Sequence, residues 1–180
     1  MTYRRTLVLG GARSGKSAFA ERLASEVGLP VMYVATATAT DQEMTERIAL
    51  HKVRRPATWR TLEIPLGVAA RVLAELEKGD APVTLVVEDL TFLLSNLMAD
   101  DNRGDEDVSL AELQAIEEVQ SLLGLPANVI LVSNEVGMGL VPPYPLGRRF
   151  RDALGRLNQF AAAECRAVYL LVAGLPVQLK

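Results

Sequence analysis

The sequence predicts an α/β fold of three layers, a mostly parallel central sheet between helices, built as one domain over residues 1–180. Three observations predict it. Short apolar runs of strand length alternate with segments of helical spacing along the chain. Residues 83–87 form a run that is apolar but for Thr84, as in a strand covered on both faces. And 180 residues, 49% hydrophobic and 23% charged, suit one core and are too few for two ordinary domains.

In order, residues 6–9 form a short β-rich run ending at Gly10-Gly11. Residues 17–25 have helical spacing, closed by Gly28 and Pro30. Residues 31–35 read as a second buried strand. Residues 41–52 hold strong helix formers with an acidic first turn, and Pro56 blocks continuation. A further helix opens at Pro65 and runs to about Lys78, with Gly79 as its stop. The strand at 83–87 leads to a helix beginning near Leu90. Ser109-Leu110-Ala111-Glu112 is a capping box for a helix to Gly124. Residues 128–133 are a buried strand and 146–163 a helix. Residues 167–173 and 177–179, joined through Gly174-Leu175-Pro176, form a C-terminal hairpin. The acidic, turn-rich stretch 99–107 matches no calcium loop and reads as a solvated loop.

Gly10-Gly11-Ala12-Arg13-Ser14-Gly15-Lys16-Ser17 satisfies G-x-x-x-x-G-K-[ST] without a mismatch, between a strand and a helix as that motif requires. Small residues let the backbone curl so that several N–H groups face one anion, and the helix adds its positive end. Lys16 reaches the outer phosphates and the Ser17 hydroxyl binds Mg²⁺. The fold is therefore expected to be of the P-loop NTPase type, binding GTP or ATP. The metal needs a second acidic ligand at the end of a neighbouring buried strand, where either Glu88 or Asp89 would serve. Glu88 is assigned to the metal and Asp89 to capping the next helix.

His51 is the only histidine. It follows Arg47 by four residues and Glu43 by eight on the expected helix, which puts the three on roughly one face. Lys52, Arg54 and Arg55 follow at once. A lone histidine is more often a satisfied polar residue than a catalytic one. Here a cationic cluster stands beside it in a chain built for phosphates, and a neutral imidazole can attack phosphorus. An unperturbed value near ~6.5 leaves it mostly neutral at neutral pH.

Composition narrows the partners. A formal net charge of −3 argues against a general nucleic-acid binder. Only four of the 19 basic residues are lysine, and arginine clusters at 47–60 and 148–151 suit a polyphosphate. No apolar run reaches the ~18–20 residues of a membrane helix. The opening residues do not form a signal peptide, so a soluble, cytoplasmic protein is expected. Cys165 lies in an apolar stretch and reads as core filler.

The segment Arg47-Ile48-Ala49-Leu50-His51-Lys52-Val53-Arg54-Arg55-Pro56-Ala57-Thr58-Trp59-Arg60-Thr61-Leu62-Glu63 resembles the signature of the bifunctional adenosylcobinamide kinase / adenosylcobinamide-phosphate guanylyltransferases. The phosphate loop, residues 90–97, Ser133-Asn134-Glu135-Val136-Gly137-Met138-Gly139-Leu140-Val141-Pro142, and the stretch from Arg148 to Gln159 agree with it, in order along nearly the whole chain. Two departures stand out. The family commonly has Asp or Glu then Cys where this chain has Glu88-Asp89, and Glu-Asn where it has Pro143-Tyr144.

The resemblance implies phosphorylation of adenosylcobinamide by a nucleoside triphosphate, then guanylylation of the enzyme by GTP and passage of GMP to the phosphorylated corrinoid. His51 would carry GMP, and Lys52, Val53, Arg54, Arg55 and Glu63 would contact the nucleotide. Ala35, Thr36 and Ala37, at the end of the second strand, complete the expected nucleotide-binding set with Glu88. A homotrimer is implied as well. The alternatives are a small-molecule P-loop kinase without nucleotidyl transfer, or an NTP-dependent regulatory ATPase. Against the latter, Asn134-Glu135-Val136-Gly137 puts a carboxylate where a switch GTPase has lysine.

Overall fold

A computed structural model describes residues 3–39, 41–79, 83–99 and 108–180, with Glu43, Arg47, His51 and Arg54 described by backbone alone. Strands β1 (Arg5–Gly10), β2 (Val31–Ala35), β3 (Arg60–Glu63), β4 (Thr84–Glu88), β5 (Asn128–Asn134), β6 (Ala167–Val172) and β7 (Leu175–Gln178) form one sheet in the order β3-β2-β4-β5-β1-β6-β7. Every pairing is parallel except that of β6 with β7. The helices are α1 (Lys16–Val27), α2 (Gln42–Arg54), α3 (Val68–Leu76), α4 (Leu90–Met98), α5 (Val108–Gly124) and α6 (Pro145–Glu164).

Period-two alternation divides the core into two halves. On one face Val8, Tyr33, Val86, Ile130 and Val132 pack against Phe19, Ala20 and Ala24 of α1. On the other, Leu7, Leu9, Leu85, Val87 and Leu131 pack against apolar stripes of α3, α4, α5 and α6. That makes three layers, as the alternation predicts. Cys165 is buried here, and burial pushes its thiol up to about 12, which leaves it inert packing. Helix α2 lies on the outside. None of its described residues is buried, and Val53 is 85% exposed. Among the described residues no helix is long and apolar enough to cross a membrane.

Four expectations need correction. Strand β3 is absent from the sequence reading, because its residues are polar and mostly exposed and so show no apolar run. Helix α3 begins at Val68, after Gly67 at φ +63, rather than at Pro65. Helix α5 already runs at Val108, so Ser109 does not cap it. The hairpin turns at Ala173-Gly174, both with positive φ, so Leu175 and Pro176 belong to β7 rather than to the turn. Two positive-φ residues between antiparallel strands match the twist such hairpins need. The reading of 99–107 falls outside the described residues, apart from Ala99 closing α4.

Candidate nucleotide site

The site lies at the carboxyl edge of the sheet, where ligands of open α/β folds bind. Strand β1 delivers the chain to Gly10, and the loop turns through Arg13 (φ +55) and Gly15 (φ +94) before α1 opens at Lys16. Gly15 needs its missing side chain twice over. Its φ lies in the left-handed region, and a Cβ there would come within 3.2 Å of the Gly174 Cα. The loop is held from two sides: Gly174 donates its N–H to Ser14 O at 2.9 Å, and Glu135 donates its own to Gly10 O at 3.0 Å. The Lys16 side chain is buried along the loop and its Nζ donates to Gly11 O at 3.2 Å.

Strand β4 brings its acidic end to the first turn of α1. The Ser17 hydroxyl donates to Glu88 Oε1, and the Tyr33 hydroxyl donates to Glu88 Oε2 at 2.7 Å. Two hard oxygen donors from distant parts of the chain thus converge beside the phosphate loop, a donor set suited to Mg²⁺. Asp89 does something else. It is buried, caps α4 by accepting from Phe92 N at 2.8 Å, and accepts from Asn134 Nδ2 at 3.3 Å. Desolvation raises its carboxyl from 3.8 to about 6, with backbone donation from Phe92 opposing and the Glu88 charge adding to the rise. The two neighbouring carboxylates therefore have separate tasks.

Around this pair the fold places residues that the sequence reading missed. Tyr33 is fully buried, and desolvation with the Glu88 charge moves its hydroxyl well above the ordinary tyrosine value, so it remains a donor. Its ring carries the Arg55 guanidinium 3.6 Å from the centroid and stacks on Trp59 at 6.3 Å. Nε and Nη1 of Arg55 are buried with no hydrogen-bond partner among the described residues. The signal in the sequence was a tyrosine inside an otherwise aliphatic strand, since a buried tyrosine needs a partner for its hydroxyl. Asn134 is the second. Its side chain donates to Thr91 Oγ1 at 2.8 Å as well as to Asp89, and its carbonyl accepts from Asn158 Nδ2 at 3.0 Å.

Of the other expected residues, Thr36 is buried and its hydroxyl is bonded to both backbone groups of Asp89 at 2.8 Å. Lys52 and Glu63 form an ion pair with each other, half exposed. Val53 is exposed on α2, and Ala35 ends β2 opposite Glu88 and Glu63. The side chains of Arg47, His51 and Arg54 lie outside the described residues, so their common face with Glu43 does too. The backbone places His51 one helical turn before Arg55. In the second arginine cluster Arg148 is employed structurally, donating to Pro142 O and Pro143 O and bracing the loop before α6.

A glycine-rich loop and helix start facing an acidic strand end define the class: an α/β protein of the P-loop type. A protein from Pyrococcus horikoshii OT3 shares the fold, with a TM-score of 0.57 at 11% identity, covering 98% of this chain and 86% of that one. The chain belongs to the cobinamide kinase / cobinamide phosphate guanyltransferase family, whose model matches residues 6–179. It is 51% identical over 176 residues to the bifunctional adenosylcobalamin biosynthesis protein CobP of Pseudomonas aeruginosa, covering 98% of this chain and 97% of that protein. It is 41% identical over 183 residues to the protein CobU of Escherichia coli K12, also named bifunctional in adenosylcobalamin biosynthesis, covering 97% and 98%.

Proposed function

We propose that the protein phosphorylates adenosylcobinamide with GTP or ATP and then transfers GMP from GTP, through His51, to the resulting phosphate, giving adenosylcobinamide-GDP. The observation that carries the reading is the meeting of Ser17 with Glu88 beside the phosphate loop, in a chain matched to the family over residues 6–179. Backbone N–H groups of residues 10–17 and the positive end of α1 cradle the phosphates, and Lys16 reaches the outer ones. Ser17 and Glu88 would hold Mg²⁺. When bound, the ion neutralises charge on the triphosphate. Ala35, Thr36, Ala37, Lys52, Val53, Arg54, Arg55 and Glu63 form the rest of the nucleotide-binding set.

Guanylyl transfer proceeds by two displacements. A neutral imidazole nitrogen of His51 forms a bond to the α-phosphorus as the bond to the bridging oxygen breaks, and pyrophosphate departs with the electron pair. A phosphate oxygen of the corrinoid then displaces the imidazole. Dividing the transfer this way lets one nucleotide site serve two acceptors. Arg55, whose Nε and Nη1 have no hydrogen-bond partner among the described residues and which lies one helical turn from His51, supplies charge stabilisation to the phosphates. Resemblance to the family supports a homotrimer, and the exposed edge strand β7, with Leu175 and Val177, offers apolar surface for such association. A soluble, cytoplasmic location fits the same reading.

The test is labelled GTP. The native protein should gain the mass of one GMP, held by an acid-labile bond, and His51→Ala should gain none. Retention of that label by His51→Ala would overturn the assignment.

A further inference from the structure

Phosphorylating a hydroxyl leaves its proton to be removed, and the residues assigned above provide no group for that. Four carboxylates stand at the carboxyl ends of strands among the described residues. Glu63 is ion-paired with Lys52. Glu88 has both oxygens engaged, by Ser17 and Tyr33. Asp89 is buried with both oxygens engaged, by Phe92 and Asn134. Glu135 differs from all three.

Glu135 follows the last residue of β5, the strand between the phosphate-loop strand β1 and the acidic strand β4. Its N–H is bonded to Gly10 O at 3.0 Å, so its backbone is fastened to the first residue of the loop. On its other side Asn134 joins it to Asp89. Its side chain is oriented: Oε1 accepts from Gly137 N at 2.6 Å, and a Cβ at Gly137 would stand only 2.9 Å from that oxygen. Oε2 has no hydrogen-bond partner among the described residues, and the residue is partly exposed, as a base meeting an incoming hydroxyl must be. Beyond it Met138, Leu140, Val141, Tyr144 and Leu146 are all more than half exposed. They make an apolar apron that begins three residues from the carboxylate. A bulky acceptor with an apolar face can rest there while its hydroxyl-bearing arm reaches the phosphate loop.

We propose that Glu135 is the general base of the kinase step, an assignment that rests on the kinase reading above. The acceptor oxygen forms a bond to the γ-phosphorus as the bond to the β,γ-bridging oxygen breaks. The nucleoside diphosphate leaves with that electron pair, and the hydroxyl proton passes to Glu135 Oε2, then to solvent. A positioned base contributes about 10²–10⁴-fold in general. The low end applies here, because phosphoryl transfer demands little of its nucleophile.

The experiment compares the full-length native protein with Glu135→Gln and Glu135→Asp, using Mg·ATP and adenosylcobinamide for the kinase step and labelled GTP for self-guanylylation. Gln keeps the oxygen that accepts from Gly137. The expected result is a kcat for phosphorylation lowered about 100-fold in Glu135→Gln, with KM for the corrinoid within about threefold. Glu135→Asp is intermediate, and GMP labelling is retained. Two results overturn the assignment: phosphorylation within about threefold of native, or labelling that falls in parallel with phosphorylation, which would make Glu135 a support of the shared nucleotide site. Native protein that labels with GMP but never phosphorylates the corrinoid would remove the kinase reading itself, and this role with it.

Discussion

Tyr33→Phe removes one oxygen from the site and leaves the rest of its packing in place. The ring continues to carry Arg55 at 3.6 Å and Trp59 at 6.3 Å, while Glu88 Oε2 loses its 2.7 Å donor. A hydrogen bond to a charged group contributes about 1.5–3 kcal/mol. Glu88 is partly exposed, so water replaces some of that, and about 1.4 kcal/mol remains. The carboxylate is then less firmly aimed at Ser17, and Mg²⁺ affinity should fall by about tenfold, the range seen when a group supporting a metal ligand is removed. The assay is a Mg²⁺ titration of corrinoid phosphorylation at saturating nucleotide. Half-saturation should rise about tenfold while kcat at saturating Mg²⁺ stays within about twofold. Tyr33→Leu, which also takes away the face beneath Arg55, should in addition raise KM for GTP. A Tyr33→Phe titration superimposable on native would refute the reasoning, since Glu88 would then need no help from β2.

Two further outcomes follow from the same edge of the sheet. Because burial raises the Asp89 carboxyl from 3.8 to about 6, ionising it costs the folded state more than the unfolded one. Below pH 3.8 both states are protonated and no penalty applies; stability is lost as pH rises to about 6, then stays lost, to a total of about 3 kcal/mol. Asp89→Asn keeps a capping oxygen without the charge, so its stability relative to native, by urea unfolding, should improve by about that amount between pH 4 and pH 7; a flat difference would contradict the buried-charge account. Gly10→Ala would set a Cβ 3.0 Å from the Leu171 carbonyl and closer still to the Ser14 hydroxyl, whereas a Cβ at Gly11 meets nothing within 4 Å. Nucleotide affinity by calorimetry should drop at least about tenfold in Gly10→Ala and stay near native in Gly11→Ala; equal affinities would show that the loop absorbs the clash.

What could be read from the residues divides by the range of the interaction. The phosphate loop is local: its spacing, small residues and flanking strand and helix all lie within a short window, although the positive φ of Arg13 was not legible. That Asp89 caps the following helix was also legible, because an N-cap is decided by the residues that follow it. Tyr33 and Asn134 were not. Their partners lie 55 and 45 positions away, and β2 meets β4 only once the sheet has assembled. Strand β3 escaped for a related reason, since it is held by pairing with β2 rather than by apolar residues of its own. Ala173 offered no warning either, because an alanine with positive φ is imposed by the hairpin around it.

The single peptide hydrogen bond from Gly174 to Ser14 ties the cradle to the margin of the sheet. Among the described residues strand β7 has a neighbour on one side only and its side chains are exposed, so its hydrogen bonds are of the sort that open first in native proteins. When the margin loosens, the cradle loses one of its two walls. A nucleotide that requires the formed cradle must in turn quieten that margin, so occupancy at one end of the sheet and fraying at its border are two readings of one equilibrium.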